Sequence, residues 1–282
     1  MPELTSQRLV EQIEWDIAER TNILRVAAGV TPALHILCDD LDHAPSLKYT
    51  GFKKNIGERL GMYVQVDFVR SESELVDRIQ ASNEDASMHG IIVQLPLRSR
   101  DQERTDAITA LINPEKDVDG LAGASSDYES ATARAGLMLF DESSRNYRKE
   151  MTVVNGLGRL VGKPALDIMQ RESGLHVVGY DIESDRLDVI EGLNHARLIM
   201  TAIGSPGILK PDMFVDPLIP RVIVDAGAAE QGGKLRGDVS DELRQTGLAY
   251  GWEITPAVGG VGPLTVRLVL EHTVTAAEKS TY

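Results

Sequence analysis

Residues 151–169 read MTVVNGLGRLVGKPALDIM. Thr152, Val153 and Val154 are a short β-branched run, the composition of a strand buried on both faces. Gly156, Gly158 and Gly162 follow at once, and the run to Met169 reads as a helix. A strand, a glycine turn and a helix suit a dinucleotide: glycines let backbone amides approach a pyrophosphate, which the helix N-terminus stabilises. Three residues rather than two precede the last glycine, so a turn that serves packing alone has the same pattern. A nucleoside-triphosphate loop is excluded. Leu157 holds its first glycine position relative to Gly162-Lys163, and Pro164 stands where a Ser or Thr would hold magnesium.

Strand and helix signals alternate on both sides of this stretch, the pattern of an α/β protein with mostly parallel strands. Before it, Leu9, Ile13, Ile17, Ile23 and Leu24 give a long first helix. Strands near 33–38, 63–69 and 90–94 then alternate with helices at about 46–61 and 72–82, and an amphipathic stretch spans 102–112. After it come strands in LHVVGYD, ARLIMTAIG and RVIVDAG, and a last helix with Val266, Leu270 and Val274 on one face. The expected architecture has two lobes with a cleft between them. Residues 1–122, joined by helix 262–282, form an N-terminal α/β lobe; 123–148 form a connecting loop and helix; 149–261 form a Rossmann-like dinucleotide-binding lobe with a parallel sheet.

The chain of 282 residues carries 43 Asp and Glu against 29 Lys and Arg, a formal charge of −14, which argues against nucleic acid or an anionic membrane as partner. Cys38 is the single cysteine, so no internal disulfide and no cysteine zinc site can form. The amphipathic first residues lack a signal-peptide core, no run is apolar for long enough to cross a membrane, and a cytoplasmic location is expected.

Four segments carry chemistry-bearing residues. In HGIIVQLPL (89–97), Gln94 ends a buried strand, at the end where open α/β sheets bind ligands. Satisfying backbone groups where Pro96 stops the strand is the other use of such a residue. Ser46, Tyr49 and Lys53 are spaced by three and four, which aligns them on one helix face. That face could pair a stacking ring with a proton-transfer group, or be an exposed polar stripe. Tyr-x-x-x-Lys is also a short-chain dehydrogenase pattern, but there the pair follows the glycine turn, and here it precedes it. In PEKDVDGL, Asp117 and Asp119 lack the further ligands of a metal site, and a carboxylate that hydrogen-bonds a substrate is the better reading. TPAVGGVGP (255–263) brings backbone close to something, either a ligand or a tight turn between domains.

Together these segments resemble the bifunctional methylenetetrahydrofolate dehydrogenase/methenyltetrahydrofolate cyclohydrolase family. The motifs run in order: Ser46-x-x-Tyr49-x-x-x-Lys53, HGIIVQLPL, KDVDGL, VVNGLGRLVGKP, KLRGDV and ITPAVGGVGPLT. The resemblance implies oxidation of 5,10-methylenetetrahydrofolate with NAD or NADP, then hydrolysis of the methenyl form to 10-formyltetrahydrofolate, with no metal. It assigns catalysis to Lys53, Gln94 and Ser46, and substrate binding to Tyr49, Asp119, Leu95, Pro96, Gly259, Gly260 and Pro263. Cofactor contacts fall on Gly156, Leu157, Gly158, Arg159, Gly162, Asp181 and Gly204. Tetrahydrofolate derivatives are the implied partners and a homodimer the implied assembly. The other readings are a catalytically inactive folate- or dinucleotide-binding regulator on the same scaffold, and another two-lobed dehydrogenase of the shikimate or amino-acid type.

The chain departs from the family pattern in three places. Ser130-Ala131-Thr132-Ala133 replaces a Pro-Cys-Thr-Pro run, which predicts a looser hinge. Gly156-Leu157-Gly158 replaces Gly-Arg-Ser, and Pro256-Ala257-Val258-Gly259-Gly260 replaces Pro-Val-Pro-Gly-Gly. Asp181 ends the second strand of the nucleotide lobe, 19 residues after Gly162, where an acidic side chain hydrogen-bonds the adenine ribose or else turns away to cap a neighbouring turn. Asp181 and Leu157 favour NAD; family precedent favours NADP, with Arg159 as the substitute phosphate ligand.

Overall fold

The structure is a computed structural model that describes residues 3–122, 125–146, 148–173, 176–232 and 234–282. Gly123, Ala124 and Tyr147 of the expected connecting segment, and Leu175 of an expected strand, lie outside the described residues. The chain divides into two units. One comprises Leu9–Ala131 with Val266–Tyr282; the other comprises Thr132–Thr265 with the described residues up to Arg8. These divisions fall inside helices rather than at the loop positions expected from sequence.

The first unit begins with helix α1 (Gln7–Ala28) and continues β1 (Ala33–Cys38), α2 (Ala44–Arg59), β2 (Tyr63–Phe68), α3 (Glu72–Glu84), β3 (Gly90–Val93) and α4 (Gln102–Thr109). Its sheet has the order β2-β1-β3, all parallel, with Ile36 opposite both Val66 and Ile92. The central strand β1 is buried along its whole length. Leu37, Leu75, Ile79, Ile91, Val93 and Ile108 form one continuous apolar cluster. Along α1, Leu9, Ile17 and Leu24 are buried, but Ile23 is 52% exposed and Thr21 takes its expected place in the core. Helix α2 starts two residues before the expected position. His43 caps it by accepting from the Ser46 backbone N–H, and Pro45 suits the first turn, where no N–H partner is available.

The second unit holds α5 (Ala131–Glu142), β4 (Thr152–Asn155), α6 (Gly162–Ser173), β5 (Val177–Tyr180), α7 (Arg186–His195), β6 (Leu198–Thr201), β7 (Val222–Asp225), β8 (Ala229–Gln231), β9 (Lys234–Arg236), α8 (Asp241–Ala249) and β10 (Glu253–Ile254). The chain ends with α9 (Val261–Thr281), on which Val266, Leu270 and Val274 are buried as expected. Five parallel strands lie in the order β10-β7-β6-β4-β5, and β8 and β9 form a separate antiparallel pair. The parallel sheet is doubly wound: from β4 the chain moves out to β5, then returns past β4 to β6, β7 and β10. Helices α7 and α8 escape the sequence reading because each buries few apolar residues, Leu193 on α7 and Leu243 on α8. Strand β10 is two residues long, too short for a periodic signal.

Ser130, Ala131 and Ala133, the run that replaces the family's proline-containing one, are buried, and α5 starts within this run. The Ala131 N–H donates to the Asp119 carbonyl. Small residues give this helix start a packed surface in place of the rigidity of proline.

Candidate active site

Strands β1 and β3 are neighbours, yet the chain leaves β1 toward β2 on the other side, so their carboxyl ends flank the point where strand order reverses. That is where open parallel sheets present ligand-binding groups. Gln94 is the first residue after β3, and Lys53 comes from α2, which follows β1. Lys53 Nζ donates to Gln94 Oε1 at 3.2 Å, and Gln94 Nε2 donates to the Leu95 carbonyl at 3.0 Å. A carbonyl only accepts, so the amide must turn its NH2 toward Leu95 and its oxygen toward Lys53. Ser46 Oγ lies 3.1 Å from the same carbonyl and 2.8 Å from His43 Nδ1. The Leu95–Pro96 peptide is cis, and Pro96 lies half-buried beside this cluster in sequence.

Lys53 is only 6% exposed and Ser46 2%, while Tyr49, between them on the same face of α2, is half-buried. The polar-stripe reading of this face therefore fails. Burial drives the Lys53 ammonium below the ordinary lysine range, and the Asp119 carboxylate opposes that shift.

The two acids of KDVDGL have separate jobs. The Asp117 carboxylate is fully buried and accepts from the backbone N–H groups of Leu121 at 3.2 Å and Ala122 at 2.9 Å. Burial raises its pKa, and those two N–H groups offset only part of the rise. Asp117 thus shapes the loop, while Asp119 is half-buried and close enough to Lys53 to act on its charge. Among the described residues no group of three His, Cys, Asp or Glu side chains could hold a metal ion.

In the second unit the glycine turn sits at the other reversal of strand order, between β4 and β6. A Cβ on Gly162 would lie 1.8 Å from the Gly156 carbonyl oxygen, and one on Gly156 (φ +97°) would lie 2.8 Å from Ala202 backbone. Both positions therefore exclude side chains. Gly158 is exposed, its carbonyl accepts from the Lys163 N–H at 3.0 Å, and the first turn of α6 opens above it. This cradle of bare backbone at a helix N-terminus fits a dinucleotide pyrophosphate. Leu157 turns its side chain onto Gly179 of β5, so it contributes packing and backbone rather than a polar contact. Arg159 is half-buried in the same turn. Gly204 lies on the loop after β6 with φ +75° and open space at its Cβ position.

Asp181 caps its own turn. Its Oδ1 accepts from the Glu183 N–H and the Ser184 hydroxyl, both at 3.0 Å. Gly259 has φ +93°, and its carbonyl accepts from the Ser6 N–H at 3.1 Å and hydroxyl at 2.8 Å. A Cβ on Gly260 would lie 2.5 Å from the Pro256 carbonyl oxygen, so the turn into α9 is tight in itself. Pro263 sits in the first turn of α9.

Two polar residues of these sites carry no signal that sequence reasoning uses. His43 is a helix cap read only from its contacts. Asp238, fully buried, accepts from Thr201 Oγ1, the Ile203 N–H and the Ser205 N–H at 2.7–2.8 Å, and so holds the loop that carries Gly204. It lies in the KLRGDV motif, which marks the resemblance without indicating a role.

Comparison with known proteins matches these two regions separately. The catalytic-domain model of tetrahydrofolate dehydrogenase/cyclohydrolase matches residues 4–119, and the NAD(P)-binding-domain model of the same family matches residues 130–281. The chain belongs to the tetrahydrofolate dehydrogenase/cyclohydrolase family. Membership sets aside the shikimate- and amino-acid-type dehydrogenases. Among relatives in the family, the bifunctional protein FolD of Variovorax paradoxus is 33% identical over 96% of each chain. The bifunctional FolD of Campylobacter jejuni superposes with a TM-score of 0.85 at 27% identity, over 99% of each chain. A 5,10-methylenetetrahydrofolate dehydrogenase from the silkworm Bombyx mori gives 0.81, also at 27% identity and 99% of each chain.

Asp117→Ala is expected to cost about 1–3 kcal/mol of stability, because the N–H groups of Leu121 and Ala122, one buried and one partly so, lose their acceptor; Asp119→Ala should stay within about 0.5 kcal/mol of wild type. Chemical denaturation of the two variants checks this. Gly162→Ala should weaken dinucleotide binding about tenfold or more, since the new methyl group forces the turn open. Fluorescence titration with the dinucleotide, compared with folate affinity on the same variant, measures the effect.

Proposed function

We infer that this chain oxidises 5,10-methylenetetrahydrofolate with NAD(P)+ and hydrolyses the resulting 5,10-methenyltetrahydrofolate to 10-formyltetrahydrofolate, the two activities of its family. The observation that carries the reading at residue level is the bond from the buried Lys53 amine to Gln94. The dinucleotide supplies the hydride acceptor. Loss of hydride from the methylene carbon leaves a methenyl cation, which needs no metal to become electrophilic.

Hydrolysis then depends on this chain's own groups. Water adds to the methenyl carbon, one carbon–nitrogen bond breaks, and one proton is released. Lys53, in the neutral form that burial favours, takes the proton of the attacking water at Nζ and returns it to the nitrogen that leaves. Gln94 keeps the amine aimed by accepting one of its hydrogens, and Ser46 holds the Leu95 carbonyl that orients Gln94. A cationic substrate lowers the charge affinity of Lys53 further.

The remaining assignments rest on the family resemblance and on placement. Tyr49, one turn from Lys53, stacks on the folate ring system; Asp119 accepts from the donor edge of the pterin; Leu95, Pro96, Gly259, Gly260 and Pro263 offer backbone and apolar contacts to substrate. Gly156, Gly158, Arg159, Gly162 and Gly204 hold the dinucleotide, with Leu157 contributing backbone only. For the cofactor we favour NAD. Asp181 keeps its carboxylate exposed just past the end of β5, and the Glu183 and Ser184 bonds both fall on Oδ1, so the capping role and a ribose contact use different oxygens. A 2′-phosphate there meets a like charge. A homodimer is supported by the edge position of β5, whose Val178 is 36% exposed. Among the described residues no helix is long and apolar enough to cross a membrane.

Lys53→Met should abolish hydrolysis of methenyltetrahydrofolate above the spontaneous background while the variant stays folded. In wild type the same rate should rise with pH and level off below the ordinary lysine range, because the neutral amine is the active form. Loss of methenyl absorbance measures both, and a wild-type rate in Lys53→Met would remove Lys53 from the mechanism. For the cofactor, kcat/KM should favour NAD in wild type, and Asp181→Ser should shift the ratio toward NADP. A strong NADP preference untouched by the substitution would transfer phosphate recognition to Arg159.

A further inference from the structure

His272 belongs to none of the motifs that mark the family, and it lies off the apolar stripe that Val266, Leu270 and Val274 form on α9. Its ring nevertheless reaches the loop that carries Asp119. His272 Nδ1 lies 2.8 Å from the Val118 carbonyl oxygen. A carbonyl only accepts, so Nδ1 carries a proton and donates, whether the ring is neutral or charged. The ring stacks on Tyr128 with centroids 4.9 Å apart and planes at 29°, and the Lys279 ammonium lies 4.9 Å from the Tyr128 ring centre. The next residue of α9 meets the same loop: a Cβ on Gly90 would lie 2.8 Å from Thr273 Oγ1 and 3.0 Å from both γ-carbons of the fully buried Val118. Loop, helix and the first residue of β3 thus pack at one point, and all these residues, with Lys53, belong to the first unit.

The bond matters because of where Val118 stands. The direction of the Asp119 side chain is set by the two rigid peptide planes that meet at its Cα. The plane that follows is held at both edges: the Asp119 carbonyl accepts from the Ala131 N–H at 3.2 Å, and the Gly120 N–H donates to the Asp117 carbonyl at 3.0 Å. The plane that precedes contains the Val118 carbonyl, and His272 holds it. With both planes held, the Cα–Cβ bond of Asp119 has one direction, and its carboxylate stays where it acts on the charge of Lys53.

We propose that His272 is a positioning residue for Asp119: its Nδ1–H holds the peptide plane before Asp119 and so aims that carboxylate at the donor edge of the pterin while keeping its charge near Lys53. The proposal deepens the reading of Asp119 and Lys53 given above and rests on it. A ring that only filled space between α9 and the loop would need no hydrogen to donate.

Two substitutions separate the bond from the stacking. His272→Phe keeps a ring against Tyr128 and removes the donor. His272→Asn removes the ring and puts Nδ2 on Cγ, where Nδ1 was, so the donor returns. Both should lower Tm, the first by leaving a buried carbonyl without its donor and the second by losing the stack, so Tm does not decide between them. The expected result is a KM for methenyltetrahydrofolate about three- to tenfold higher in His272→Phe and within about twofold of wild type in His272→Asn, with the dehydrogenase KM for the dinucleotide unchanged in both.

The pH profile of hydrolysis gives a second readout. Asp119 and the Cys38 thiol of β1 are the groups whose charge acts on Lys53, and Glu271, 4.0 Å from His272 Nε2, is the carboxylate beside the ring. A carboxylate that swings away no longer supports the ammonium, so the rate should level off at lower pH in His272→Phe and where wild type does in His272→Asn. An unchanged KM in His272→Phe, an equal rise in both variants, or a raised KM with the pH profile unmoved would overturn the proposal. His272→Leu repeats the loss of the donor without a ring and decides the matter should His272→Phe not fold. Asp119→Asn measured alongside separates the two levels. If it raises KM and moves the profile while His272→Phe does neither, the role of His272 alone is overturned; if Asp119→Asn changes neither, the reading beneath falls as well.

Discussion

A lysine withdrawn from water has to find an acceptor or lose its charge, and in this protein Lys53 does both in part. Its amine donates to a single neutral oxygen, that of Gln94, rather than to a carboxylate. A direct ion pair would fix the ammonium and end its use as a base. The Asp119 carboxylate acts on Lys53 through its field, opposing the effect of burial. The strand that brings Gln94 to this point, the helix that brings Lys53 and the loop that brings Asp119 are all held by other, purely structural contacts. Asp117 ties the loop, and the apolar packing of β1 and β3 fixes the strand ends.

The same topological device appears in both units. In each, the chain leaves a central strand to one side and returns to the other, so two neighbouring strands end with their loops diverging. In the first unit the diverging loops carry polar side chains that meet one another. In the second they carry glycines whose missing side chains leave backbone bare. One sheet geometry thus yields a proton-transfer site and a phosphate cradle, and the difference between them is side-chain chemistry at the strand ends. The buried Asp238 shows how the bare loop is kept in shape. A carboxylate that accepts three hydrogen bonds substitutes for the packing that side chains would otherwise provide.

Much of the fold was legible because its strongest elements are long or strongly apolar. Strand β1 and helix α9 match their sequence signals nearly residue for residue, since burial on both faces or along one stripe leaves an unmistakable pattern. Helices α7 and α8 were not legible, because each fully buries only one large apolar side chain, Leu193 and Leu243. Ile23 misled for the opposite reason: it keeps helical spacing but points outward, while Thr21 goes in.

The sequence by itself determined the chemistry available at the site. Ser46, Tyr49 and Lys53 share a helix face because helical spacing requires it, and Gln94 stands at a strand end because Pro96 stops the strand. Only the tertiary structure decided which polar group meets which. Asp117 and Asp119 are alike in sequence, two positions apart in one loop, and folding buries one as a loop tie and leaves the other near Lys53. His43 acquires its contact to Ser46 from the way α2 begins, and Asp181 is held to its own turn by Ser184. Periodicity fixes directions along one element, whereas hydrogen-bond partners come from distant segments whose approach depends on how the core packs.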